Sequence, residues 1–140
     1  MSTYSVATPA TTVESRFLTG VLRMDALASG ALGLLLLLAG VVLEGPIGLS
    51  ALLGVPVGLS LGAGLFLAGW TAALVMIARH PAVRRTALRE VIAVNAAWVV
   101  ASLALIFAGD LTTLGIVVVA VQAAAVAVLA DLQFASLRRG

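Results

Sequence analysis

The few polar side chains that could do chemistry interrupt long apolar stretches of the sequence. Asp25 and Ser29 stand four residues apart in the first stretch, Asn95 and Trp98 three apart in the third, and Gln122 lies in the fourth. Residues three or four apart lie on the same side of a helix, so each pair would point in one direction. Carboxylate, hydroxyl, amide and indole groups of this kind predict a small polar patch between helices.

Two interpretations of this patch are open. Its groups could hydrogen-bond one another and hold the helices in register, at about 0.6 kcal/mol per pair. They could instead line a ligand site for a small molecule, a lipid headgroup or an ion. Their distance from the flanking charges predicts a patch in the cytoplasmic half of the protein, open or nearly open to the cytoplasm. Asp25 is then expected to reach the membrane interface or to pair with Arg79 or Arg89.

Catalytic chemistry is not indicated by any motif. The sequence has no cysteine and one histidine, His80, in a predicted loop. Thiolate metal sites, cysteine nucleophiles and histidine-based triads are therefore excluded. No phosphate-binding loop, zinc-protease motif or buried carboxylate pair is present either. We expect a non-enzymatic protein with no catalytic residue, no metal and no cofactor.

The elements that carry the polar residues are four apolar stretches. The chain of 140 residues is 62% hydrophobic and only 10% charged, against about 25% charged in soluble domains. About 20 apolar residues span a bilayer as a helix, and the stretches lack the alternation of barrel strands. The predicted spans are Ala26–Leu43, Val57–Ala78, Val91–Ala108 and Leu111–Ala130.

Proline and glycine separate these spans into two hairpins. Pro56 and Pro81 suit the first turn of a helix, and Gly109 with Asp110 forms a tight link. The predicted fold is an all-α membrane protein, a four-transmembrane-helix bundle within one domain, 11–140. Residues 1–10 are predicted to be a disordered tail. A capping box at 11–14 predicts a helix that either lies at the interface or extends the first span.

The arginines predict the orientation. Both termini and the central loop together hold all eight arginines, while the other two loops carry Glu44 and Asp110. Because cytoplasmic loops hold the excess of basic residues, both termini should lie inside. The composition is typical of a GC-rich bacterium, which predicts the bacterial cytoplasmic (inner) membrane. No folded basic domain is available to bind nucleic acid. Anionic lipids are expected to contact five arginines at the helix ends, Arg79, Arg84, Arg85, Arg138 and Arg139.

Small residues at helical spacing predict where helices pack. In lipid, helices associate through close approach at such residues. The second span carries two stripes on opposite faces, one of Gly58, Gly62 and Gly69 and one that includes Gly64. Either both stripes contact neighbours within the bundle, or one makes a homodimer contact. Ala97 and Ala101 predict a packing face on the third span.

Two segments carry a resemblance to known sequences. The segment at 22–30 (Leu-Arg-Met-Asp-Ala-Leu-Ala-Ser-Gly) and the segment at 94–99 (Val-Asn-Ala-Ala-Trp-Val) resemble those of uncharacterised small four-span integral membrane proteins of GC-rich bacteria. The resemblance implies the fold and no particular activity. The first functional hypothesis is a membrane protein that acts through helix packing with a partner subunit or itself. The alternative is a small-molecule or lipid binder, or permeation unit, that uses the polar patch.

Overall fold

Five α-helices make up the part of the chain that the structure describes. The computed structural model covers residues 9–41 and 49–139, with side chains placed for 16–38 and 51–138. Four of the helices are long and apolar enough to cross a membrane, which confirms the predicted all-α four-helix bundle. The five-residue helix α2 was not predicted. The helices are α1 (Pro9–Val41), α2 (Leu49–Leu53), α3 (Val57–Arg79), α4 (Pro81–Ala108) and α5 (Thr113–Arg139).

Three of the helices extend beyond the predicted spans. Helix α1 runs without a break from Pro9, so the amino-terminal helix extends the first span instead of forming a separate interfacial helix. The last two residues of the predicted tail belong to this helix. Residues 1–8, the capping side chains at 11 and 14, and the end of the first span at 42–43 lie outside the described residues. Helix α4 begins at Pro81, as the proline predicted, and α5 continues past Ala130 to Arg139.

A single residue joins α3 to α4. His80 ends α3, and the Nδ1–H of its ring donates to the Met76 carbonyl over 2.7 Å. The Arg84 Nη2 donates to the Ala78 carbonyl over 2.9 Å. The last carbonyls of a helix lack helical partners, so these two side chains satisfy the end of α3. Arg84 is therefore largely buried at a helix end, and its predicted contact with anionic lipid stays a prediction.

The other arginines predicted to contact lipid remain on the surface where their side chains are placed. Arg79, Arg85 and Arg138 are exposed, and the side chain of Arg139 lies outside the described set. The Arg138 guanidinium lies 5.8 Å from the centre of the Phe134 ring.

The opposite end of the bundle is a close corner between α2 and α5. Gly54 follows α2 with φ of +76°, a conformation that side chains with a Cβ rarely adopt. Thr112 caps α5 by accepting from the Gly115 N–H over 3.0 Å, while its hydroxyl donates to the Leu52 carbonyl over 2.5 Å. Gly115 lies so close to the Leu53 carbonyl that a Cβ would overlap it. This corner fixes the short helix against the second hairpin.

Within the first hairpin, one of the two predicted stripes on α3 packs against α1. A Cβ added to Gly33 would lie 3.3 Å from the Gly64 carbonyl, and one added to Gly30 would lie 3.3 Å from the Thr71 methyl group. The Ser60 hydroxyl donates to a carbonyl of α1 over 2.9 Å. The small residues thus allow the two backbones to approach closely.

The other stripe on α3 makes no such contact. Gly58, Gly62 and Gly69 are exposed, and a Cβ at any of them would meet nothing within 4 Å. Ala97 and Ala101 on α4 are exposed as well. The interpretation that both stripes contact neighbours within one bundle is therefore wrong. The reason is that α3 packs extensively on α1 but only slightly on α4, so one of its faces has no neighbour among the described residues.

The tightest core lies at the arginine-rich end. Its buried members come from α1, α3 and α4, and side chains such as Leu22, Leu74 and Leu88 have no exposed surface. Many large apolar side chains elsewhere point outward, including Leu27, Val100 and Phe107, which is 85% exposed. Extended apolar surface of this kind is unusual on a protein in water and suits a lipid environment.

Candidate ligand site between the two hairpins

A buried carboxylate joins three helices above this core. Asp25 on α1 is 1% exposed. Its Oδ2 accepts from the Asn95 Nδ2 of α4 and from the Gln133 Nε2 of α5, each over 2.7 Å. Asn95 Nδ2 also donates to the Gln133 Oε1 over 2.9 Å, which closes a triangle of side chains. The Ser29 hydroxyl donates to Asp25 Oδ1 over 3.3 Å.

The surroundings of Asp25 differ from the sequence prediction. Among the described residues its hydrogen-bond partners are uncharged, whereas Arg79 or Arg89 was expected. Residues two apart on a helix are rotated by about 200°, so the exposed Arg23 and the buried Asp25 face opposite sides of α1. Side chains nearest the arginine-rich end are closely enclosed. Asn95 and Gln133 are only 3% and 0% exposed, and the apolar core lies on that side. The position of the patch relative to the cytoplasm stays a prediction.

A second polar group ties α4 to α5 farther from the arginine-rich end. The Trp98 Nε1–H donates to Gln122 Oε1, and Gln122 Nε2 donates to the Ser102 hydroxyl, both over 2.8 Å. The Ser102 hydroxyl in turn donates to the Trp98 carbonyl over 2.8 Å. Gln122 Nε2 also donates to the Val119 carbonyl of its own helix over 3.0 Å. These bonds fix the orientation of the Trp98 indole.

A cavity of about 100 Å³ lies between the two polar groups. Its wall includes all five residues that the sequence predicted as ligand-binding: Asp25, Ser29, Asn95, Trp98 and Gln122. The structure thus brings the whole predicted patch together around one space.

Three aromatic rings form part of the same wall. The Phe66 ring lies 6.0 Å from the Trp98 ring and 6.4 Å from the Trp70 ring, with interplanar angles of 8° in both pairs. The rings come from α3 and α4, so they lie where the two hairpins face each other. The cavity therefore has a carboxylate in its wall together with three aromatic groups.

A larger cavity of about 500 Å³ extends toward the corner of α2 and α5. Apolar side chains dominate its wall, with the hydroxyls of Ser60 and Ser102 among the few polar groups. Leu32, Trp98 and Gln122 line both cavities, so the hydrogen-bonded Trp98–Gln122 pair stands between them. We call this pair the partition.

Two residues outside the predicted ligand-binding set contribute to the site. Gln133 is eleven residues, or about three turns, after Gln122, so the sequence already predicts that the two share a face of one helix. The sequence does not predict that Gln133 meets Asp25. Phe66 stands within an uninterrupted apolar run and gives no signal of its own.

The side chains at the site offer several kinds of binding contact. Within the described part of the chain, no three His, Cys, Asp or Glu side chains converge to hold a metal ion. The site offers one carboxylate, several amide groups and aromatic faces, which can recognise charge, hydrogen-bond donors and apolar surface.

No family model, curated protein or solved structure matches the chain. The resemblance to small four-span proteins of GC-rich bacteria stays a prediction. The function is inferred from the site geometry alone.

Proposed function

We propose that the protein is a non-enzymatic, multi-pass protein of the bacterial cytoplasmic membrane that binds a small molecule between its two hairpins. The supporting observation is that the buried Asp25 cluster and the partition border two neighbouring cavities of about 100 and 500 Å³. In this proposal the ligand occupies these cavities, and the membrane lipids surround the outward-facing apolar side chains.

The sizes of the cavities favour ligand binding over a purely structural role of the polar residues. Both cavities are partly open at the surface of the bundle, so a ligand could enter them. Ligand pockets typically measure about 300–1,000 Å³ and combine apolar walls with a few polar groups. The larger cavity, with Ser60, Ser102 and Gln122 in an apolar wall, fits that description.

The orientation that accompanies this proposal places both termini in the cytoplasm. The antiparallel hairpins bring the exposed Arg16, Arg79, Arg85 and Arg138 to one end of the bundle. Basic residues are retained on the cytoplasmic side, and there they attract anionic lipids at about 1 kcal/mol each. The Asp25 cluster then lies nearer the cytoplasmic face, and the larger cavity lies nearer the outer face.

A cavity-filling variant tests the proposal. Ala101 lines the larger cavity, so a phenylalanine there should occupy it. Ala97 is equally exposed one turn earlier on α4 and does not belong to either cavity wall, so Ala97→Phe is the matched control. Binding of 4-phenylbutan-1-ol to the purified protein in mild detergent, measured by native mass spectrometry, should be lost only in Ala101→Phe. No binding by the wild type, or equal binding by all three proteins, would contradict the proposal.

A second proposed function is self-association through the outward stripe of α3. The observation that favours it is that Gly58, Gly62 and Gly69 are exposed with space for a close helix contact. Gly62→Ile should then lower the dimer fraction in analytical ultracentrifugation in detergent. Gly20→Ile is the control, since Gly20 is also exposed but lies on α1. An unchanged sedimentation profile in Gly62→Ile would argue against this second function.

A further inference from the structure

We infer that the ligand is an organic ammonium ion with an apolar body, whose charged nitrogen binds beside Asp25. This inference rests on the proposed function and names its ligand class. In it, the ammonium group lies against the aromatic wall of the smaller cavity, and the apolar body extends past the partition into the larger one.

The carboxylate of Asp25 favours a positively charged ligand. Asp25 is almost fully buried, and its described hydrogen-bond partners Ser29, Asn95 and Gln133 carry no charge to offset that of a carboxylate. Neither cavity wall includes a basic residue. Charge interactions are strong where water is excluded, so a carboxylate in this wall favours a cation over a neutral or anionic molecule.

The two carboxylate oxygens of Asp25 differ in their hydrogen bonding. Oδ2 of Asp25 accepts two bonds of 2.7 Å, whereas Oδ1 accepts one of 3.3 Å from Ser29. Asp25 and Ser29 both line the smaller cavity. Oδ1 therefore has the greater remaining capacity to accept, and an N–H of an ammonium ion would form a charge-assisted bond with it.

The aromatic wall of the smaller cavity also favours a cation. Phe66, Trp70 and Trp98 line the cavity together with Asp25. The face of an aromatic ring attracts cations by about 0.5–2 kcal/mol, most strongly for tryptophan and when water is excluded. The rings and the carboxylate thus select the same sign of charge.

The volumes of the two cavities indicate the size of the ligand. A cavity of about 150 Å³ accommodates benzene, so the smaller cavity of about 100 Å³ accommodates an ammonium group with a few carbons. The remainder of a longer molecule requires the larger cavity, whose wall is mainly apolar. A zwitterionic lipid headgroup is a poor fit, because its phosphate would lack a basic partner in either wall. The ligand is therefore a free amphipathic amine.

The test compares 4-phenylbutylamine with 4-phenylbutan-1-ol, which differ in the charged group. Binding to the wild type, to Asp25→Asn and to Asp131→Asn is measured in nonionic detergent by native mass spectrometry and by quenching of tryptophan fluorescence. We expect the wild type to bind the amine at least tenfold more tightly than the alcohol. Asp25→Asn should lose that preference and retain alcohol binding. Asp131→Asn removes an exposed acid outside both cavity walls and should behave as the wild type.

Asp25→Asn should preserve the fold. An asparagine at 25 is isosteric, and its amide oxygen can still accept from Asn95 and Gln133 while its NH₂ faces Ser29. Retained alcohol binding by Asp25→Asn reports an intact cavity.

The possible results separate this inference from the proposed function. If the wild type binds both molecules equally, or if Asp25→Asn keeps the tenfold preference, the ammonium inference is overturned and the cavity remains a binding site. If the wild type binds neither molecule, both the inference and the proposed function fail.

Discussion

At the scale of single residues, the central feature is a carboxylate stabilised by amide and hydroxyl groups. Asp25 accepts from Asn95, Gln133 and Ser29, and the two amides also bond each other. Buried charges are costly unless their hydrogen-bonding capacity is satisfied. The triangle of Asp25, Asn95 and Gln133 therefore connects three helices and places a carboxyl group beside a cavity.

Removing one donor from the triangle should be costly. We expect Asn95→Leu to lower the free energy of unfolding by about 1.5–3 kcal/mol, because it deletes a hydrogen bond to a charged group and leaves Gln133 Oε1 without its donor. In an Asp25→Asn background the loss should fall to about 0.5–1.5 kcal/mol, the range for uncharged partners. Unfolding by sodium dodecyl sulfate titration from mild detergent measures both values.

Thr86→Leu serves as the control for this prediction. Thr86 is an exposed polar residue of the same helix, so its replacement should change the unfolding free energy little. If Asn95→Leu stabilises the protein, or if its effect is the same in both backgrounds, the triangle does not stabilise the carboxylate.

Residue spacing predicted which polar groups share a face but not which groups would meet. Asp25 and Ser29, or Asn95 and Trp98, follow from helical geometry within one segment. The hydrogen-bond partners of Asp25 depend on the direction in which its side chain points. The position of Asp25 along the axis of α1 suggested the nearby arginines as partners, whereas its angular position around that axis turns the side chain inward. Helical spacing likewise places Gln133 on the face of Gln122, but it does not predict the bond between Gln133 and Asp25.

At the scale of elements, glycines that stand alike in apolar helices have different roles. Gly115 lies against the Leu53 carbonyl at the corner of α2 and α5, and Gly62 lies on the outward face of α3. Sequence alone gives both as small residues in apolar helices. Only the position of neighbouring elements distinguishes a glycine that is required by a close contact from one that leaves a helix face open.

This difference predicts opposite effects of the same substitution. Gly115→Ala should destabilise the protein by about 1–3 kcal/mol or more, because its Cβ would overlap a backbone carbonyl that cannot rotate away. Gly62→Ala should be neutral or stabilising by up to about 1 kcal/mol, because alanine favours the helix and meets nothing. Thermal unfolding in detergent measures both. Comparable melting temperatures of the two variants would contradict the corner geometry.

Element boundaries were predicted best where proline marks them. Pro81 opens α4 and Pro56 directly precedes α3, as their fixed φ angle suggests. The short α2 was missed because five residues before a glycine, four of them apolar, are too few to show a helical period. The amino-terminal extension of α1 was left open, since the sequence favours a helix there but does not specify its direction.

At the scale of the whole molecule, the two hairpins pack well internally and meet each other less closely. Helices α1 and α3 contact extensively, as do α4 and α5, while the contacts between hairpins are fewer. The hairpins are joined by the apolar core at the arginine-rich end, the Asp25 triangle, and the corner of α2 and α5 at the other end. Both cavities lie between these connections. Composition and periodicity predicted the hairpins, but the gap between them depends on side-chain sizes in three dimensions.

The orientation of the whole bundle can be tested directly because the chain has no native cysteine. Asp110→Cys places a thiol in the exposed link between α4 and α5, and Thr86→Cys places one on the exposed surface near the arginine-rich end of α4. With both termini inside, a membrane-impermeant maleimide should label Asp110→Cys in intact cells and label Thr86→Cys only after the membrane is opened. The reverse labelling would show that the bundle has the opposite orientation, with the Asp25 cluster nearer the outer face. Equal labelling of both variants in intact cells would show that the basic end is not retained in the cytoplasm.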